Sequence, residues 1–108
     1  MSEQSSNKQT TSKDQAAQKV AFYDRLKEEL EKNTDWPAKY MYKFIVPNQD
    51  DNISKVEERF ENKEIDLKKN YSKTGKYVSI TVVTEEVNPD AVIKRYKAME
   101  DIDGLVAL

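Results

Sequence analysis

The stretch NYSKTGKYVSITV, residues 70–82, holds Gly75, one of only two glycines in the chain, with a lysine and several hydroxyls around it. Either this glycine and lysine cradle a phosphate, or the chain turns back on itself here. A phosphate loop has the form G-x-x-x-x-G-K-[ST] between a strand and a helix, so that backbone N–H groups and the helix N-terminus converge on the anion. Asn70 stands where the first glycine belongs, Tyr77 where the Ser or Thr belongs, and residues 76–85 alternate as a strand. The stretch is therefore a hairpin. Gly75 supplies a positive φ for the turn between strands predicted over 64–72 and 76–85. Lys73-Thr74-Gly75 also matches the K-T-G element of penicillin-recognising enzymes, with Ser5-x-x-Lys8 as a formal nucleophile motif. The chain is far too short for that fold, and Ser5 lies in a polar tail.

Outward from the hairpin the pattern is regular. YMYKFIV, 40–46, alternates as a first strand, with Tyr42, Phe44 and Val46 on one face and Met41, Lys43 and Ile45 on the other. Pro47 ends it. Asp50 or Asp51 can cap a helix with the stripe Ile53, Val56 and Phe60, reaching about Asn62. After the hairpin, Asn88-Pro89 places an N-cap before a proline at the first helical position, and Val92, Ile93, Tyr96 and Met99 supply a buried face. Asp103-Gly104 turns the chain into a last short strand, LVAL. The order βαββαβ specifies an α+β, ferredoxin-like sandwich over residues 34–108, with a four-stranded antiparallel sheet and both helices on one face.

Two segments precede this domain. Residues 1–13 are polar, with nothing to offset the entropy of ordering them, and are expected as a disordered tail. In 14–33, Ala16, Val20, Tyr23, Leu26 and Leu30 recur at helical spacing, which predicts an N-terminal helix. Pro37 breaks that pattern, and Trp36 is expected to anchor the helix onto the domain.

Composition narrows the function. A domain of this size buries roughly 60–65% of its unfolded surface, one thin core. Charged residues are 35% of the chain yet sum to -2, so no positive field collects polyanions. The absence of Cys and His removes thiol chemistry, disulfides, most zinc sites and the usual general base. With no apolar N-terminal region and no run near ~20 apolar residues, a cytoplasmic protein without a membrane span is expected, and no cofactor is implied.

The candidate sites are few. Tyr77, Ser79, Thr81 and Val83 should face away from the two helices, near Lys43, and form a surface for a ligand or another subunit. An RNA-recognition motif shares the strand order and reads RNA with aromatics on its central strands, but Gly75 takes one stacking position and Tyr42 falls in the core row. Acylphosphatase chemistry needs an arginine in the loop after the first strand, and PNQDDN has none. Asn48, Asp50, Asp51 and Asn52 offer oxygens to a hard cation, or simply a helix cap. Glu57, Glu58, Glu61 and Glu64 among Lys55, Arg59 and Lys63 read as a solvated helix face.

YKFIV, YSKTGKYVSITV, Tyr96 and the ending IDGLVAL resemble the YbeD-like family of small bacterial proteins of unknown function, over roughly residues 23–108. The matching positions are Tyr42, Lys43, Ser72, Gly75, Tyr77, Ser79, Thr81, Tyr96 and Leu108, none of them an established catalytic residue. The resemblance implies a ferredoxin-like fold similar to ACT regulatory domains, which bind small effectors between subunits. This chain departs from it at Val46-Pro47-Asn48, where a glycine would let the backbone approach an effector. The expected function is a non-enzymatic regulatory or protein-interaction module, with a homodimer or protein partner. The alternatives are an ACT-like sensor of a carboxylate-bearing small molecule through Lys43, Tyr77 and Ser79, and an RNA-binding module.

Overall fold

The computed structural model describes residues 2–49, 51–61 and 63–108, with side chains from Gln18 onward. The chain forms two compact units, Met1–Asn33 and Thr34–Leu108.

The first unit is helix α1, Ser2–Asn33. It starts well before the expected boundary at Asp14 and takes in the stretch assigned to a tail, since neither Gly nor Pro interrupts the chain before Pro37. Tyr23, Leu26 and Leu30 are half-buried, whereas Val20 is exposed. Phe22 packs edge-on against Tyr23 at 5.6 Å.

The second unit contains β1 (Ala38–Pro47), α2 (Asn52–Glu58), β2 (Asp66–Tyr71), β3 (Tyr77–Glu86), α3 (Pro89–Ala98) and β4 (Val106–Ala107). All neighbouring strands are antiparallel, in the order β2-β3-β1-β4. This is the ferredoxin-like fold, reached through two split crossovers.

The central pair β1 and β3 decides which side chains are buried. Tyr42 lies opposite Val82, Phe44 opposite Ile80 and Val46 opposite Val78, all completely buried. Alternation sends every second residue of both strands to this face. Val56 and Phe60 from the α2 segment, and Val92, Ile93, Tyr96 and Met99 from the α3 segment, cover it. Tyr42 is the hub, with ring centroids 5.3 Å from Phe60, 5.3 Å from Tyr96 and 5.9 Å from Phe44. Burying side chains of this kind contributes about 1.5–3 kcal/mol each.

The helix ends follow local chemistry. The Asn88 side chain accepts a hydrogen bond from the Ala91 N–H at 2.9 Å, with Pro89 next, as the sequence predicts. Asp51 is the N-cap of α2 but in a left-handed conformation and without a side-chain bond. Its carboxylate therefore does not cap the helix; Asn52 instead donates to the Pro47 carbonyl at 2.8 Å. Asp50, the other predicted cap, lies outside the described residues. The helix ends at Glu58 rather than near Asn62, because the next N–H groups bond three residues back, Phe60 to Glu57 and Glu61 to Glu58.

Both glycines have positive φ, 74° at Gly75 and 76° at Gly104, for different reasons. A Cβ on Gly75 meets nothing within 4 Å, so only the backbone requires glycine there. A Cβ on Gly104 would sit 2.7 Å from Cγ of Pro47. Gly75→Ala should therefore cost roughly 1–2 kcal/mol from the left-handed backbone alone. Gly104→Ala should cost about 1–3 kcal/mol more through overpacking. Urea denaturation of the two variants checks this order; equal midpoints would contradict it.

Candidate functional site

Two polar arrangements stand out, one on each face of the sheet. On the face away from α2 and α3, register places Lys43 opposite Thr81 and Ile45 opposite Ser79. The second strand continues these rows, with Lys68 opposite Thr81 and Asn70 opposite Ser79. A cavity of about 360 Å³ opens here, lined by Lys43, Lys68, Asn70, Ser79 and Thr81 among others. Three of the predicted site residues thus meet. Tyr77 does not join them: it pairs with Pro47 at the end of the ladder and is half exposed, outside the cavity lining. Val83 lies at the other end of the row, opposite Met41 and Asp66. Sequence reasoning missed Lys68 and Asn70, although the alternation Asp66, Lys68, Asn70 along β2 carries the signal.

On the helix face, sequence reasoning missed a buried polar cluster. Glu86 is 1% exposed at the end of the core row of β3. Tyr42 Oη donates to its Oε2 at 2.5 Å. Arg95 Nε lies 3.3 Å from the same oxygen, and Lys63 Nζ 3.2 Å from Oε1. Arg95 also donates to the Arg59 carbonyl at 2.8 Å and sits 5.0 Å above the Phe60 ring. Three segments are thereby fastened to one carboxylate: β1 through Tyr42, the connection between α2 and β2 through Lys63, and α3 through Arg95. Tyr40 and Tyr96 share a hydroxyl hydrogen bond of 2.9 Å beside it. The signal in the sequence was a glutamate in phase with Val78, Ile80, Val82 and Thr84, which reads as a strand end until tertiary packing buries it.

Electrostatics reflect this burial. Desolvation pushes the Glu86 carboxyl upward, but the Tyr42 hydroxyl, Arg95 and Lys63 together outweigh it and hold the group below its ordinary value. Burial, and then the Glu86 carboxylate, push the Tyr42 hydroxyl far above its ordinary range. Asp101, hydrogen-bonded by Arg59 at 2.9 Å, is also held low.

The loop after β1 is occupied structurally. Pro47 packs against Gly104, and the Asn48 amide donates to the Gly75 carbonyl at 2.9 Å. Among the described residues no group of three or more His, Cys, Asp or Glu could hold a metal ion. No helix of the described residues is long and apolar enough to cross a membrane.

Known proteins share this fold and part of this sequence. The model for proteins of unknown function DUF493 matches residues 31–108. The chain belongs to the DUF493 family. The matched span covers the whole ferredoxin-like unit together with the last residues of α1. A solved structure of an uncharacterised protein from Thermotoga maritima is similar in fold, with a TM-score of 0.53 at 14% identity, covering 66% of this chain and 94% of that one. No curated protein matches the sequence. For this DUF493 domain, function must therefore be argued from its own side chains.

The depressed Glu86 value sets a sign for pH dependence. A carboxylate held low in the folded state contributes stability that is full above its unfolded value, near pH ~4.3, and is lost as pH falls through the folded value. Glu86→Gln should lower stability near pH 7 by about 2 kcal/mol, less than for a fully buried pair because Arg95 and Lys63 keep some access to water. The difference from the parent protein should shrink below about pH 4. Denaturant titrations from pH 7 to pH 3 measure this; a constant difference across that range would contradict it.

Proposed function

We propose that this DUF493 protein is a non-enzymatic, YbeD-like regulatory or protein-interaction module of the cytoplasm, binding through the open face of its sheet. One contrast carries the reading. The buried set of ionisable groups, Tyr42, Glu86, Arg95 and Lys63, is committed to joining strands and helices, and its carboxylate is 1% exposed. A substrate has no access to such a carboxylate. Polar groups on the opposite face are exposed or half-buried and stand beside exposed Met41, Val106 and Leu108. That combination suits reversible binding rather than bond chemistry.

The sensor reading is favoured as an alternative by one observation, the cavity beside Lys43, Ser79 and Thr81. Binding in the ACT manner, against the loop after β1, is disfavoured because Pro47 fills the space beside Gly104. RNA binding is disfavoured because Tyr42 is completely buried and unavailable for stacking.

Native mass spectrometry of the protein purified without denaturation, at several concentrations, tests the module. The expected result is a defined added mass, whether a second subunit, another protein or an effector. It should be lost in Thr81→Glu, whose circular dichroism should match the parent's. Apo monomer at every concentration, or a complex indifferent to Thr81→Glu, would count against the open face as the binding surface.

A further inference from the structure

Two lysines, Lys43 and Lys68, are the charged side chains that the register turns toward the open-face cavity; Lys69, opposite core-facing Ile80, points to the other face. A cavity charged by lysines alone is notable in a chain with 20 acidic and 18 basic residues. Lys43 and Lys68 occupy one row across three strands with Thr81 between them. Neighbouring strands lie ~4.8 Å apart, so the two backbones stand ~10 Å apart, and flexible stems let both ammonium groups converge above Thr81. Neither lysine has an ion pair among the described residues. The Ser79 and Thr81 hydroxyls and the Asn70 amide, in the same and the adjacent row, likewise have no side-chain hydrogen bond there. Asp66 is the acidic side chain nearest along β2 on this face; it lies opposite Val83, outside the cavity lining. Lys68 is its same-face neighbour, whereas Asn70 and Ser79 lie further along the sheet.

On the reading that the open face is the binding surface, we infer that Lys43 and Lys68, with Ser79, Thr81 and Asn70, form a binding site for a small dicarboxylate. Each lysine takes one carboxylate, and the hydroxyls and the amide donate to the remaining acceptor oxygens. Exposed Met41 and Leu108 border the site on the β1 side and suit a short hydrocarbon linker. The cavity of about 360 Å³ has the size of a small-molecule site. A second copy paired about a two-fold axis through this cavity is a poor occupant of it, because the lysines would then face the same lysines.

The test is an NMR titration of the full ¹⁵N-labelled chain with glutarate at constant ionic strength, with valerate as the single-carboxylate control. Saturable shifts are expected at the amides of Lys43, Asn70, Ser79 and Thr81, with valerate at least about tenfold weaker. Lys43→Gln and Lys68→Gln should each weaken glutarate about fivefold, as befits exposed charges, and Lys73→Gln on the hairpin should leave it unchanged. Shifts that do not saturate, equal response to valerate, or unchanged affinity in the Lys43→Gln, Lys68→Gln double variant would overturn the inference. A glutamate-rich peptide that binds where glutarate does not would overturn it while leaving the protein-interaction module standing. Apo monomer in native mass spectrometry without glutarate binding would remove both.

Discussion

The ladder between β1 and β3 is the constraint on which the rest of this molecule depends. It runs through ten consecutive antiparallel pairs, from Ala38 with Glu86 to Pro47 with Tyr77. Because side chains alternate, that single register assigns Tyr42, Phe44 and Val46 with Val82, Ile80 and Val78 to the core and Lys43 with Thr81 to the other face. A slip of one residue would bury the lysine and expose the aromatic row. Both helices, the short β4 and the hairpin to β2 are placed by this pair.

The same register carries Glu86 into the interior. An isolated buried carboxylate is strongly unfavourable, and here Tyr42, Arg95 and Lys63 compensate it from three different segments. The cluster stabilises less than its contacts suggest, since all the charges give up water to form it. What it contributes is a common anchor: Arg95 of α3 and Lys63 of the connection after α2 both meet the carboxylate that Tyr42 of β1 also holds. The Arg95 bond to the Arg59 carbonyl also satisfies a group left open at the C-terminal end of α2.

The two faces of the sheet therefore have different tasks. One is closed, aromatic and internally satisfied, and the other is hydroxyl-rich and cationic at its centre. Family membership in DUF493 and a fold shared with an uncharacterised protein place the chain without giving it an activity. The physical asymmetry between the faces is what directs attention to the open one.

The fold was legible in the sequence because its signals are local. Gly75 between alternating runs marks the hairpin, Asn88-Pro89 opens α3, and strict alternation in 40–46 sorts core from surface. Lys43, Ser79 and Thr81 were legible for the same reason, since phase along a strand determines face. Three things needed tertiary structure. Lys68 and Asn70 join the site only through the β2–β3 register, which relates residues distant in sequence. Gly104 shows its steric role only against Pro47, which the fold brings to it from the end of β1. Glu86 continues an apolar phase and carries a charge, and sequence alone cannot say which tendency prevails. Packing resolves it by supplying a tyrosine, an arginine and a lysine from elsewhere in the chain. Local periodicity determined the elements and their faces, whereas long-range pairing decided which polar groups share a place and whether water reaches them.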